Sequence, residues 1–357
     1  MASVHTAFLA GDLATLLASP DVHVLRYDFE RHAALLIRLS RAQLEEASFL
    51  DDRLLNIDVP HGFVALQPVV PAALNLAGLL PLHYVFHTGH VGSTLVSRLL
   101  GSVRGVLSLR EPFPLRQVAV ALDQVGQPGS RIDPERLRRV FDATIKLLQR
   151  GFPESRAVVV KATSVLGRMA PELMAALPES RAIYLNVRPE TYVATYLSNP
   201  NSLRDLLPIM AERIERLRRF GLPEQLLGGP WSDGERAALA WLAESLSGQH
   251  AAAVLGDRLL RVDFDALLAD VPAALGRVAH HFVLEHDPEA LQCLRESPLL
   301  GRYSKASAHA FSPDLRKRLL MDSARIHADE IQRGTVWLER AAAVHAASRD
   351  CLASDVS

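Results

Sequence analysis

The chain has 357 residues, of which 49% are hydrophobic, so it is long enough to bury a large core. Lysine and arginine total 39 and aspartate and glutamate total 40, and the net charge of −1 gives no global field that would favour nucleic acid or an acidic membrane surface. The two cysteines, Cys293 and Cys351, are too few for a zinc knuckle and indicate a reducing compartment.

The N-terminal residues carry no targeting signal that the sequence reveals. No basic run precedes an apolar core, so no secretory signal is predicted. The most apolar stretch, residues 63–86, contains three prolines and is interrupted by Gln67, Asn75 and His83, which does not match a membrane span. We therefore expect a cytoplasmic protein with no integral membrane segment.

Residues 1–80 are predicted to form an N-terminal α+β extension. Helical spacing of apolar residues covers 4–17 and 41–55, and two strand-like segments lie between them, at 22–29 and 32–39. No chemistry is assigned to this region from its sequence.

From residue 82 onward, apolar strands alternate with amphipathic helices, and this pattern is typical of a parallel sheet covered by helices. The predicted strands are 82–87, 106–109, 157–161, 181–187 and 259–262, and the main predicted helices are 92–100, 133–150, 165–177, 205–220, 233–255 and 313–347. We expect residues 81–357 to form one α/β domain, a three-layer sandwich with a central, mainly parallel five-stranded sheet of P-loop type. Ligands of such sheets bind at the carboxyl ends of the strands.

The turn between the first of these strands and its helix is the most informative segment. Two glycines, Gly89 and Gly92, allow the backbone to curl so that its amides point inward, and Ser93 and Thr94 open the helix with hydroxyl groups. A helix start adds free N–H groups and a partial positive charge. The segment from Gly89 to Thr94 therefore predicts a phosphate socket.

The spacing of this turn differs from that of a nucleotide-hydrolase P-loop, which needs Gly-x-x-x-x-Gly-Lys-Ser/Thr. Val91 and Gly92 precede Ser93, and no lysine is present at that point. An ordinary strand–helix turn with a Ser or Thr cap is the alternative interpretation of this segment.

The turn resembles the first signature of the PAPS-dependent sulfotransferases, where PAPS is 3′-phosphoadenosine 5′-phosphosulfate. Gly92-Ser93-Thr94-Leu95 is similar to the Gly-Thr-Thr-Leu part of that signature. His90 stands where the family usually has the Lys or Arg that contacts the sulfuryl group, which is a departure from the pattern. Glu111 follows the second strand, 21 residues after His90, and resembles the catalytic glutamate of the tyrosylprotein-type enzymes.

Later segments resemble the same family in the same order. Lys161 ends the third strand, and Arg188 ends the fourth, as the family's arginine for the 3′-phosphate does. Thr195 is the candidate hydroxyl partner on the next helix, one residue early for the usual spacing. Residues 260–268 resemble a late strand with an acidic turn, and Arg302 and Lys305 resemble the basic C-terminal loop.

The resemblance implies a sulfuryl transfer from PAPS to a hydroxyl or amine, without a metal. Gly89, His90, Val91, Gly92, Ser93 and Thr94 would bind the phosphosulfate, and Arg188, Thr195, Arg302 and Lys305 would bind the 3′-phosphate. His90 and Lys161 would stabilise developing charge, and Glu111 would be the general base.

The sequence does not identify the acceptor of the sulfuryl group. The acceptor is a small molecule, a sugar, a lipid or a peptide, no nucleic acid is expected, and an oligomer is possible. A P-loop kinase for a small molecule, or a catalytically silent nucleotide-binding protein of the same fold, are the alternative functions.

Overall fold

The structure of the protein is a computed structural model that describes residues 11–130, 132–301 and 311–353. The described residues fall into two compact units that interleave along the chain. The first comprises the residues up to Val85, Thr94–Ala182 and Ala279–Asp287, and the second comprises Phe86–Ser93, Ile183–Val278 and the described residues from Pro288 onward. The division of the sequence at residue 80 stays a prediction.

The N-terminal part of the first unit is an α+β arrangement around a small antiparallel sheet of order β1-β2-β3. Its elements are α1 (Leu13–Ala18), β1 (Val22–Asp28), β2 (Ala33–Arg38), α2 (Arg41–Glu46), β3 (His61–Ala65) and α3 (Leu66–Leu74). The two predicted strands are confirmed. Strand β3 was missed because it begins with His61-Gly62 and is only partly buried, so it lacks the apolar run of the other strands. The helix predicted over 41–55 ends at Glu46, and a short 3₁₀ helix, Asp52–Asn56, follows after a break.

The rest of the chain alternates strands and helices, as predicted. Its strands are β4 (Leu82–His87), β5 (Val106–Arg110), β6 (Ala157–Lys161), β7 (Ala182–Asn186) and β8 (Leu259–Asp263). Its helices are α4 (Ser93–Gly101), α5 (Phe113–Gln124), α6 (Pro134–Leu148), α7 (Ala170–Ala175), α8 (Pro189–Leu197), α9 (Pro200–Leu206), α10 (Met210–Arg219), α11 (Glu224–Leu227), α12 (Asp233–Leu255), α13 (Phe264–Ala269), α14 (Val271–His281), α15 (Pro288–Gln292), α16 (Pro313–Ile326), α17 (Ala328–Val344) and α18 (Ala346–Ala353).

Three helices predicted in this region are divided in the structure. The segment 205–220 contains the end of α9, a 3₁₀ helix at Leu207–Ile209 and then α10. The segment 165–177 begins as a 3₁₀ helix, Ser164–Met169, before α7. The long C-terminal helix is broken at His327, whose ψ of 26° departs from helical geometry and separates α16 from α17. Helical periodicity continues through such a break, so the sequence pattern does not reveal it.

The central sheet has the order β5-β6-β4-β7-β8, which confirms the predicted five-stranded parallel sheet flanked by helices. The ladders of β4 with β6 and of β5 with β6 are parallel. Strands β4, β5, β6 and β7 are buried along their whole length, which is why they consist of nearly continuous apolar residues. In a parallel sheet the carboxyl ends of all strands lie at one edge.

The core of the second unit is built around α12, a 23-residue helix that is buried on most of its surface. Its apolar residues pack against α8, α10 and α17, and the indole of Trp241 donates to the carbonyl of Val187, just after β7. The carboxylate of Glu244, which is fully buried, pairs with Arg213 and Arg216 of α10. These contacts fix α8 and the end of β7 against one rigid helix.

Within the described ranges, no helix is long and apolar enough to cross a membrane. Those residues also hold no cluster of three or more His, Cys, Asp or Glu side chains that could bind a metal ion.

Candidate functional site

The turn after β4 has the curled backbone that a phosphate socket requires. Gly89 and Gly92 have φ angles of 100° and 69°, and His90 lies in the left-handed region as well, at φ 51°. Left-handed backbone in a non-glycine residue costs roughly 1–2 kcal/mol, so the neighbouring structure must hold His90 in this state. The turn leads directly into α4, whose first residue is Ser93.

The start of α4 carries polar groups that nothing in the described chain satisfies. The side chain of Thr94 is only 2% exposed, and its Oγ1 has no hydrogen-bond partner among the described residues. The N–H groups of Gly92, Ser93 and Thr94 likewise have none within the described ranges. A buried hydroxyl without a partner costs about 1–3 kcal/mol, and a bound anion would relieve that cost. These groups therefore fit a phosphate or sulfate.

Two histidines shape the turn in different ways. Nδ1 of His87, at the end of β4, accepts a hydrogen bond of 3.0 Å from the N–H of Gly89, so this amide is used within the protein. The ring of His90 packs 4.5 Å from that of Tyr196 on α8, measured between centroids, and its Nδ1 lies 3.5 Å from Oγ of Ser202. His90 is half-buried, whereas Gly89, Val91 and Ser93 are buried. Of the amides in the predicted socket, that of Gly89 is thus not offered to a ligand.

Phe264 completes the wall of the turn from the other side. A Cβ built on Gly92 would overlap the ring of Phe264, so only glycine fits at this position. The guanidinium of Arg316 lies 5.2 Å from the centroid of the same ring and pairs with Asp265. Sequence reasoning missed both Phe264 and Arg316, because the apolar pattern around residue 264 gives no indication of its partner.

In the first unit, Glu111 and Lys161 form an ion pair. Lys161 ends β6 and its side chain is 1% exposed, whereas the side chain of Glu111 is 20% exposed. Glu111 follows β5 with a left-handed φ of 48°, and its N–H donates to the carbonyl of Lys161 at 2.7 Å. Strained backbone of this kind persists where the surrounding structure over-determines it, and it is common at functional sites. The structure therefore brings together the predicted base and the predicted lysine.

The N-terminal extension supplies the contacts that hold this pair. Residues 47–50, which we call the strap, run beside the end of β5, where the N–H of Leu50 donates to the carbonyl of Arg110 and the N–H of Phe113 donates to the carbonyl of Leu50. The ring of Phe49 lies 5.5 Å from Nζ of Lys161. Hydrogen bonds thus bracket Glu111 on both sides, and an aromatic ring of the strap covers its partner lysine.

Two arginines anchor the strap to the strand. The guanidinium of Arg110 donates to the carbonyls of Leu44, Glu45 and Ala47, and burial lowers its pKa to about 10. Arg98 of α4 donates to the carbonyls of Glu45 and Glu46. Both cations thereby satisfy carbonyls at the C-terminal end of α2, which favours positive charge.

The residues predicted to bind the 3′-phosphate are only partly placed. Arg188 is exposed at the start of α8. Burial raises the pKa of Asp263, and the positive charge of Arg188 partly opposes that rise. Oγ1 of Thr195 donates to the carbonyl of Thr191 at 2.7 Å, the bond that a hydroxyl within a helix commonly makes. Arg302 and Lys305 lie outside the described residues.

The known proteins to which this chain is similar are all solved structures. No protein-family model matches the chain, and no curated protein matches it. The mouse sulfotransferase SULT7A1 complexed with PAP is 9% identical, with a TM-score of 0.42, and the match covers 81% of this chain and 95% of that chain. Sulfotransferase STF9 from Mycobacterium avium is 12% identical, with a TM-score of 0.39 and coverage of 72% and 79%.

A third similar structure is the sulfotransferase domain from the curacin biosynthetic pathway. It is 14% identical, with a TM-score of 0.37, and the match covers 74% of this chain and 99% of that chain. All three of these solved structures are sulfotransferases or sulfotransferase domains.

Proposed function

We propose that the chain is a PAPS-dependent sulfotransferase that moves a sulfuryl group to a hydroxyl or amine acceptor. The observation that carries this proposal is the start of α4, where a fully buried, unpartnered hydroxyl and unpartnered amides face a left-handed turn. Backbone amides, a helix N-terminus and a hydroxyl are the donors that phosphate groups bind in proteins. The missing Lys of a nucleotide-hydrolase P-loop makes a kinase the weaker fit.

The turn after β4, the start of α4 and the predicted 3′-phosphate residues would hold the donor. His90, Val91, Gly92, Ser93 and Thr94 would bind its phosphosulfate, with Gly89 contributing its conformation rather than its amide. Arg188, Arg302 and Lys305 would bind the 3′-phosphate, because guanidinium and ammonium groups suit that anion. Thr195 would join them only after its hydroxyl turns away from the carbonyl of Thr191.

The pair of Glu111 and Lys161 gives the proposed chemistry its proton acceptor and its cation. Glu111 is the partly exposed member, so its carboxylate can take the proton of an acceptor hydroxyl, whereas Lys161 stays covered. A proton on Glu111 removes the negative charge that offsets Lys161. The ammonium then becomes available to negative charge that develops on the leaving oxygen. PAPS supplies the sulfuryl group, and no metal is assigned a role.

Ligand binding tests the donor assignment directly. We expect the 3′,5′-bisphosphate product of PAPS to raise the melting temperature, and MgATP at the same concentration to raise it little. Thr94→Ala should weaken bisphosphate binding about tenfold, because it removes one hydrogen bond to a charged group, and Thr94→Ser should retain binding. Stabilisation by MgATP alone would support the kinase instead, and equal binding by all three proteins would refute the socket.

Turnover and the 3′-phosphate need separate measurements. Glu111→Gln should reduce turnover while leaving bisphosphate affinity unchanged, and parallel loss of both would contradict a role as base. Arg188→Ala should weaken binding of the bisphosphate but not of adenosine 5′-phosphosulfate, which lacks the 3′-phosphate. Equal loss for both nucleotides would show that Arg188 does not recognise that group. Donor binding without transfer to any acceptor would favour a silent binding protein.

A further inference from the structure

The first unit contains a groove of about 660 Å³ that the proposed donor site does not use. It lies between the turn that joins β1 to β2, helix α5 and helix α6, and it is lined in part by Phe29, Val120 and Leu137. Grooves of this volume accommodate a drug-sized molecule. Because part of its wall belongs to the N-terminal extension, the groove depends on a region to which the sequence assigned no chemistry.

The lining separates into an apolar floor and a charged rim. Eight of the fifteen lining residues are apolar: Phe29, Leu66, Phe113, Val120, Ala121, Ile132, Leu137 and Val140. Every charged or histidine side chain in the lining, namely Glu30, His32, Arg116, Asp133 and Arg136, belongs to an exposed residue. The floor therefore suits an apolar molecule, and the rim is solvated.

The lining also contains one half-buried polar side chain, that of Gln117, and its hydrogen bonds are made within the protein. Oε1 of Gln117 accepts from the N–H of Tyr27 at 2.8 Å, and its Nε2 donates to the carbonyl of Tyr27 at 2.7 Å. At the rim, Arg136 contacts Nδ1 of His32 at 3.3 Å. A sugar or a peptide needs several free hydrogen-bonding groups in the wall of its site. Among the described lining residues, Gln117 is the one polar residue that is not exposed, and its amide offers none.

The groove is joined along the chain to the segment that carries Glu111. Helix α5, which forms one wall, starts at Phe113, two residues after Glu111. The rim residue Arg116 affects the pKa of Asp51. Burial alone would raise that pKa, but hydrogen bonds from Arg53 and the charges of Arg53 and Arg116 lower it overall. Asp51 directly follows the strap, whose Phe49 contacts Lys161. The rim residue Arg116, the strap and the proposed base thus all belong to the first unit.

We propose that this groove binds the apolar body of the sulfate acceptor, which makes the acceptor a small hydrophobic alcohol or amine. The inference rests on the proposed function for its chemistry. The acceptor oxygen forms its bond to sulfur, its proton passes to Glu111, and the bond from sulfur to the bridging oxygen breaks. The electron pair of that bond leaves with the 3′,5′-bisphosphate.

The experiment measures binding of 2-naphthol and of the alcohols hexanol, heptanol and octanol by calorimetry, with glucose as the polar comparison. Affinity should rise about fourfold per methylene along the alcohol series, as expected for burial of apolar surface. Val120→Trp, at an exposed position of the lining, should lower 2-naphthol affinity at least about tenfold. Arg139→Trp is the matched control, because Arg139 is exposed on α6 and does not line the groove.

The outcomes separate this inference from the proposed function. Loss of 2-naphthol binding in Val120→Trp alone, with unchanged bisphosphate affinity in both variants, supports the groove. Equal 2-naphthol affinity in the two variants, or glucose binding as tight as that of octanol, overturns it. If the unaltered protein binds 2-naphthol in the groove but binds no bisphosphate, the proposed function fails and the acceptor role fails with it. If it binds bisphosphate but no apolar alcohol, the groove inference alone fails.

Discussion

Substitution of Gly92 by alanine tests the geometry of the turn, because two separable costs arise at that residue. The left-handed φ of 69° costs an alanine about 1–2 kcal/mol. The new Cβ would also lie within 3.0 Å of the ring of Phe264, which is 2% exposed and has little room to move, and overpacking of this kind costs about 1–3 kcal/mol. We expect Gly92→Ala to lower the free energy of unfolding by about 2–5 kcal/mol in urea.

The control is Gly221→Ala in the same unit. Gly221 also has a positive φ, 92°, but a Cβ there would meet nothing within 4 Å, so only the backbone cost of about 1–2 kcal/mol applies. In a Phe264→Ala background, Gly92→Ala should cost no more than Gly221→Ala. Bisphosphate affinity should fall in Gly92→Ala and not in Gly221→Ala. An equal cost for the two glycines in the unaltered background would refute the packing of Phe264 against the turn.

Three further predictions concern the first unit. Lys161→Met should lower the free energy of unfolding in urea by on the order of 3 kcal/mol, because it leaves the carboxylate of Glu111 without its cation. Adding Glu111→Gln should recover at least half of that cost. Additive costs for the two substitutions would contradict a coupled pair. Burial, with the charges of His281 and Arg181, lowers the pKa of His83 to about 4, compared with about 6.5 in the unfolded chain. Between these two pH values the unfolded state binds more protons than the folded state. The free energy of unfolding therefore falls as the pH drops from about 6.5 to about 4. At pH 5 this amounts to about 2 kcal/mol relative to pH 7, and His83→Gln should reduce that difference, whereas an unchanged pH dependence would argue against a buried neutral His83. Arg110→Met should lower the free energy of unfolding by about 3 kcal/mol, because it removes the hydrogen bonds to the end of α2. The control Arg138→Met removes an exposed ion pair and should cost less than about 1 kcal/mol. Similar costs for the two variants would show that Arg110 does not anchor the strap.

Much of the candidate site could be located from the sequence because its parts follow strand ends. Lys161 and Arg188 each come at the end of a continuous apolar run, and such runs predict buried parallel strands whose ends share one edge of the sheet. The sequence placed Glu111 and Lys161 separately at strand ends, and the structure showed that their strands, β5 and β6, are neighbours in the sheet. The pattern could not predict that the two side chains form an ion pair with each other.

The residues that the sequence did not reveal act across large separations along the chain. The ring of Phe49 contacts Lys161, and the ring of Phe264 packs against Gly92. The backbone of Tyr27 hydrogen-bonds to the side-chain amide of Gln117. Each of these residues has an ordinary local pattern, an aromatic side chain within or beside an apolar segment. Periodicity shows that such a side chain is buried but not what it is buried against.

The amino-acid sequence by itself determined the alternation of strands and helices from residue 82 onward, the curled glycine turn and the polar residues at strand ends. These features depend on backbone preferences and on side-chain spacing within a few residues, which are local properties. Only the tertiary structure decided that the N-terminal extension holds Glu111 in place and that its first turn forms a wall of the groove. Those outcomes depend on which apolar surfaces meet, and that choice is made by the packing of the whole chain.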